Sequence, residues 1–132
     1  MARILLIDDD ADVRTLAVHE LEAAGHEVRT AGDGAEGLAL QRASPADVVV
    51  TDIFMPEKEG VETIRELREE FPRIKIIAIT GGGRLHASQR PFGTRALDTV
   101  GRHLGVIAVL HKPFDAGELL GSIESALRDS DT

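Results

Sequence analysis

Cysteine, tryptophan and tyrosine are all absent from this chain. Without cysteine there is no disulfide framework and no thiolate nucleophile, and the composition fits a reducing compartment. Four phenylalanines are the whole aromatic complement, so aliphatic side chains must build the core. No run approaches the ~18 consecutive apolar residues of a membrane span. The N-terminal MARILLIDDD lacks the long apolar region of a secretory signal, which points to the cytoplasm. Basic charge is the last shortage: 15 Lys and Arg stand against 23 Asp and Glu, a formal net charge of −8. A surface of that sign repels a phosphate backbone, so direct nucleic-acid binding is not expected.

What is present suits one globular domain. The chain has 132 residues, 42% of them hydrophobic, enough for a single core. Short apolar runs alternate with helical patterns. RILLI (3–7), EVRTA (27–31), DVVVT (47–51), KIIAIT (75–80) and VIAVL (106–110) read as strands. All but the second are nearly continuous aliphatic runs, as strands covered on both faces require, whereas EVRTA has the polarity of an edge. Val13, Leu16, Ala17 and Leu21 fall at helical spacing before Gly25, and a second helix runs from Ala35 to Ala43. Val61, Ile64, Leu67 and Phe71 line a third, stopped by Pro72, and Thr94 to Leu104 forms a fourth, ended by Gly105. In the last, Asp115 and Glu118 make a capping-box pair ahead of Leu119, Leu120, Ile123 and Leu127. Five strands alternating with five helices predict a doubly wound α/β domain, a five-stranded parallel sheet with helices on both faces.

In such sheets ligands sit beyond the carboxyl ends of the strands, so the strand-end residues carry the functional question. The first strand ends in Asp8 and Asp9, the third in Asp52, the fourth in Thr80 followed by Gly81, and the fifth near Lys112 and Pro113. Three carboxylates, a hydroxyl and an ammonium thus converge on one edge. Asp8 and Asp9 can hold Mg²⁺, a hard cation that takes oxygen ligands. Asp52 beside the metal can act as a nucleophile toward a phosphoryl group, with Mg²⁺ and Lys112 offsetting the charge on the phosphoryl oxygens. Thr80 can hydrogen-bond one of those oxygens, and the small Gly81 leaves the backbone open to it.

Taken singly, each residue has a structural reading: Asp8 to Asp10 as helix cap or solvated acid, Asp52 as a turn residue, Thr80 as a strand-end hydroxyl, Lys112 as a surface lysine and Pro113 as a helix-start residue. Their joint placement at the correct strand ends favours a site. Two other patterns are set aside. Gly32, Gly34 and Gly37 satisfy G-x-G-x-x-G, but they follow a short second strand rather than opening a dinucleotide-binding unit. The histidines show no metal-ligand spacing, and His111, next to Lys112 in a strand, points to the opposite face.

Along nearly its whole length the chain resembles the receiver domain of bacterial two-component response regulators, in the segments ILLIDDDADVR, AGDGAEGL, VVVTDIFMPEKEG, IIAITG and KPF. The resemblance implies a flavodoxin-like sheet of order 2-1-3-4-5. It implies Asp52 as phosphoacceptor, taking its phosphoryl group from a sensor histidine kinase or a histidine phosphotransfer protein. It also implies a Mg²⁺ site of Asp8, Asp9, Asp52 and the backbone carbonyl of Phe54, with Asp9 a direct ligand and Asp8 acting through water. Thr80 and Lys112 become the switch hydroxyl and the phosphate-pairing lysine, and the Lys112–Pro113 peptide is expected to be cis. Such a domain is a phosphoacceptor rather than an enzyme, catalysing only its own phosphorylation and dephosphorylation. Its phosphorylation changes binding to a partner protein or passes the group on, and the face of the last two helices serves docking or a homodimer.

Two departures stand out. Val109 occupies the place, three before the lysine, where receivers carry Tyr or Phe, and the segment 81–93, GGGRLHASQRPFG, lengthens the connection after Thr80. That segment reads either as a tolerated insertion or as a lid or partner contact. Residues 1–132 are expected to form a single receiver domain without an attached output domain, though a segment of a longer regulator would look the same. The reading from a different class is a Mg²⁺-dependent phosphohydrolase. It would use Asp8 as nucleophile, with Asp10 completing D-x-D, but lacks a later acidic pair after Lys112 and room for a substrate cap.

Overall fold

A computed structural model describes residues 2–53, 60–80 and 103–128 of the chain. Strands β1 (Arg3–Ile7), β2 (Glu27–Ala31), β3 (Val48–Asp52), β4 (Lys75–Thr80) and β5 (Ala108–His111) form one sheet. Its order is β2-β1-β3-β4-β5 and every neighbouring pair is parallel. Helices α1 (Ala11–Ala23), α2 (Gly34–Ala43), α3 (Gly60–Glu70) and α4 (Ala116–Arg128) cover it. Of the expected helix at 94–104, residues 94–102 lie outside the described residues, as does the segment 81–93. Among the described residues no helix is long and apolar enough to cross a membrane.

Alternation along the strands divides the core in two. Ile4, Leu6, Val48, Val50, Ile77, Ile79 and Leu110 pack on one face with Leu21 of α1 and Leu119 and Ile123 of α4. Leu5, Ile7, Val49, Ile76 and Ala78 pack on the other with Leu38 of α2 and Ile64 and Leu67 of α3. The central β3 is buried at every position and β4 at all but its first, which is why they read as unbroken aliphatic runs. β2 is an edge and mostly half-buried, as its polarity predicts.

β5 departs from expectation. The aliphatic run predicts a strand over 106–110 with both faces covered, but β5 pairs with β4 only from Ile77↔Ala108 to Thr80↔His111 and is mostly half-buried. The chain is still turning at Gly105, whose φ is +80°, and β5 is the second edge of the sheet. Leu16 also departs from the expected stripe: it is 39% exposed, because α1 turns Ala17 and Leu21 to the sheet instead.

The helix ends are set locally. Asp10 caps α1, its carboxylate accepting from the N–H groups of Asp12 at 2.9 Å and Val13 at 3.4 Å. The helix closes with the N–H of Gly25 donating to Glu22 and that of His26 to Leu21. This paired closure needs the left-handed Gly25, φ +91°. At α4, Asp115 accepts from the Glu118 N–H at 2.8 Å and Glu118 accepts in return at 3.4 Å, the expected capping box. These caps fix where α1 and α4 begin, and so where the residues beyond β1 and β5 are held.

Candidate functional site at the carboxyl edge of the sheet

The strand order reverses between β1 and β3, and the site lies beyond their carboxyl ends, where a doubly wound sheet opens a crevice. Asp8 directly follows β1 and extends its ladder, its N–H donating to the Ala31 carbonyl at 3.0 Å. Arg14 of α1 braces it from behind, Nη1 donating to the Asp8 carbonyl at 2.7 Å. Asp52 is the last residue of β3 and is wholly buried, as is Asp8. Gly60, the first residue of α3, packs onto this strand end. Its N–H donates to the Ile53 carbonyl at 2.9 Å, and a Cβ there would overlap the Asp52 carbonyl oxygen.

Lys112 joins the two strand ends. Its Nζ lies 3.1 Å from Asp52 Oδ2 and 3.0 Å from Asp8 Oδ2, and donates to Asp8 Oδ1 at 3.3 Å. Asp8 Oδ1 also accepts the Asp10 N–H at 2.9 Å. Asp8 Oδ2, despite its nearness to Nζ, is buried with no aligned hydrogen-bond donor among the described residues. Asp9, half-buried, completes the cluster: one carboxylate oxygen each from Asp8, Asp9 and Asp52 lies within 4.8 Å of the others. The Lys112–Pro113 peptide that follows is cis.

The electrostatics are unbalanced. Burial holds the Asp8 carboxyl above its ordinary pKa; the Asp10 N–H and Lys112 pull the other way without overcoming it. Burial also works against the Lys112 ammonium, but Asp52 and Asp8 outweigh it and hold its pKa above the ordinary value. Among the described residues, three carboxylates face the Lys112 ammonium, an excess of negative charge. Hard oxygen donors, that excess and the undonated Asp8 Oδ2 together fit a divalent hard cation.

The three adjacent aspartates therefore have separate tasks: Asp8 and Asp9 enter the cluster, while Asp10 caps a helix. Thr80 ends β4 at the same edge, but its hydroxyl is not part of the carboxylate cluster. It lies 2.8 Å from His111 Nδ1, on the opposite face of the sheet from Lys112. Phe54 and Gly81 lie outside the described residues. The glycines of the G-x-G-x-x-G pattern serve the turn into α2. The Gly32 N–H donates to Glu36, Asp33 caps the helix, and Gly37 packs against Ile7.

Sequence reasoning missed two residues. Gly60 carries no local signal, because its close approach to Asp52 arises only when α3 folds back onto β3. His111 was visible as facing away from Lys112, but its pairing with Thr80 follows from the β4–β5 register.

Comparison with known proteins agrees with this geometry. Residues 4–124 match the response regulator receiver domain family. The chain is 36% identical over 127 residues to the response regulator receiver protein CpdR of Brucella abortus, covering 96% of this chain and 98% of that protein. It is 36% identical over 131 residues to the transcriptional regulatory protein CpxR of Klebsiella pneumoniae, covering 98% of this chain but only 51% of the relative. The chain thus spans nearly all of one of these relatives and about half of the other. A response regulator receiver domain protein from Clostridium thermocellum superimposes with a TM-score of 0.81 at 30% identity, covering 97% of this chain and 95% of that one. The chain belongs to the response regulator receiver domain family, the phosphorylation-switched component of two-component signalling systems.

Proposed function

We propose that Asp52 is the residue phosphorylated in this signalling domain, and that Asp8, Asp9 and Lys112 make its carboxylate reactive. The observation that carries this reading is the buried Asp52 carboxylate, 3.1 Å from Lys112 Nζ and in one cluster with Asp8 and Asp9. An Asp52 oxygen forms a P–O bond as the P–N bond of a donor phosphohistidine breaks, and the departing imidazole nitrogen keeps that electron pair. Lys112, already oriented between Asp8 and Asp52, meets the charge carried on the phosphoryl oxygens. Asp8, Asp9 and Asp52, with the Phe54 carbonyl, would hold Mg²⁺, which supplies charge neutralisation to the transferring group.

The donor is a sensor histidine kinase or a histidine phosphotransfer protein, reached in the cytoplasm. Thr80 and the backbone at Gly81 contact the phosphoryl group once it is attached. The phosphorylated form then binds a partner protein or passes the group on. Intact mass after incubation with acetyl phosphate and Mg²⁺ tests the assignment. One adduct is expected that needs Mg²⁺ and vanishes in Asp52→Asn. An adduct that survives in Asp52→Asn and vanishes in Asp8→Asn would assign the nucleophile to Asp8, the phosphohydrolase arrangement.

A further inference from the structure

His111 lies beside Lys112 in the chain yet serves the other face of the sheet. Residues paired across parallel strands share a face, and Thr80 pairs with His111. Thr80 is wholly buried, and its hydroxyl meets His111 Nδ1 at 2.8 Å. Lys112, one residue on, reaches Asp8 and Asp52 instead. The switch hydroxyl and the phosphate-pairing lysine are thereby held by consecutive residues on opposite sides of one strand.

We propose that His111 is a positioning residue that holds the Thr80 hydroxyl away from the carboxylate cluster until Asp52 is phosphorylated. The inference rests on the reading of Asp52 as the phosphoacceptor. A threonine hydroxyl has one proton to donate and two lone pairs to accept with. Donated to a bare His111 Nδ1, that proton is not available to a phosphoryl oxygen, which only accepts. Engaging the phosphoryl group leaves two arrangements: the hydroxyl leaves His111, or His111 carries its proton on Nδ1 and becomes the donor to Thr80 Oγ1. Either one changes the electronic state of the ring, so His111 reports and opposes the change at Asp52.

The opposition is modest. A neutral hydrogen bond has a net worth equivalent to roughly 2- to 12-fold in an equilibrium constant. One to a charged acceptor is about twice as strong, so the exchange proceeds against a small cost. Removing the imidazole should therefore tighten the phosphorylated-like state by a factor in that range, and only while Thr80 has a hydroxyl to release.

A double-mutant cycle with beryllium trifluoride, a phosphoryl analogue, and Mg²⁺ tests this on the full chain. Analogue affinity and the ring ¹⁵N resonances of His111 are followed by NMR. His111→Phe is expected to bind the analogue roughly 2- to 12-fold more tightly than wild type, and to have a clearly smaller effect in a Thr80→Val background. His111→Asn, which keeps a side-chain partner for the hydroxyl, should stay near wild type. The Nδ1 resonance of wild-type His111 should move on analogue binding and also on Thr80→Val substitution without analogue. Equal effects of His111→Phe in both backgrounds, or a ring spectrum indifferent to the analogue, would overturn the proposal. Failure of the Asp52 reading shows differently: wild type would then bind no analogue that Asp52→Asn does not also bind, and the exchange would fall with it. A variant that does not fold leaves the wild-type ring spectrum to decide.

Discussion

Lys112 and Asp8, 104 positions apart in the chain, meet at 3.0 Å in the protein interior, and the same ammonium reaches Asp52 at 3.1 Å. One cation thus bridges the ends of β1 and β3 and offsets charge on two buried carboxylates. Breaking a buried pair by removing one partner leaves the other charge stranded, at a cost of about 3–5 kcal/mol. Lys112→Met should lose stability of that order in urea unfolding with a chelator present. Mg²⁺ should recover part of the loss, because a divalent cation answers the same excess charge. A Lys112→Met protein as stable as wild type in chelator would show the bridge to be dispensable.

Asp8 gives a pH dependence of definite sign. Burial holds its native pKa above the ordinary 3.8 despite the Asp10 N–H and Lys112. The native state therefore keeps the Asp8 proton over a range in which the unfolded chain has released it, and stability falls as pH rises through that range. The range begins at the ordinary carboxylate value and ends at the raised native one. In chelator, Asp8→Asn should gain on wild type as pH rises from about 4, and the gain should level off once native Asp8 has ionised. A difference between the two that does not change with pH would mean that burial does not penalise the Asp8 charge.

Asp10, although adjacent to Asp8 and Asp9, should behave as a cap alone. Its carboxylate accepts the Asp12 and Val13 N–H groups. Asp10→Ala should cost about 1 kcal/mol of stability, while Asp10→Asn, still an acceptor, should cost little. The stabilisation by Mg²⁺, read as the rise in melting temperature, should match wild type in both variants. Loss of that rise in Asp10→Asn would place Asp10 in the metal site.

These aspartates show how far the sequence reaches. The parallel sheet was legible because β1, β3 and β4 are apolar runs of five or six residues, too short for a buried helix and suited to strands covered on both faces. The cluster of Asp8, Asp9, Asp52 and Lys112 was legible for the same reason: each residue ends a run, and parallel strands end on one edge. Periodicity fixes spacing but not phase or neighbours. It placed Leu16 in the buried stripe of α1, where it is 39% exposed. It treated β5 as a covered strand when β5 is an edge. The bond between Thr80 and His111 needs the β4–β5 register, which no local pattern carries.

Gly60 carries the last prediction, because no side chain acts there at all. Its N–H closes onto the Ile53 carbonyl at 2.9 Å, and a Cβ would overlap the Asp52 carbonyl and the Ile53 backbone. Backbone, unlike the tip of a flexible side chain, cannot swing aside, so Gly60→Ala must push α3 away from the end of β3. Overpacking of this kind costs about 1–3 kcal/mol. The displacement falls on the residue that presents the Asp52 carboxylate, so the rate of phosphorylation by acetyl phosphate should drop by more than the loss of folded protein explains. Gly37→Ala is the matched control. The three atoms its Cβ would meet first all belong to the Ile7 side chain, on the other face of the sheet from Lys112, so it should lose stability without a comparable loss of rate in the protein that remains folded. Equal rate losses in the two variants would mean that the helix start at Gly60 does not position Asp52.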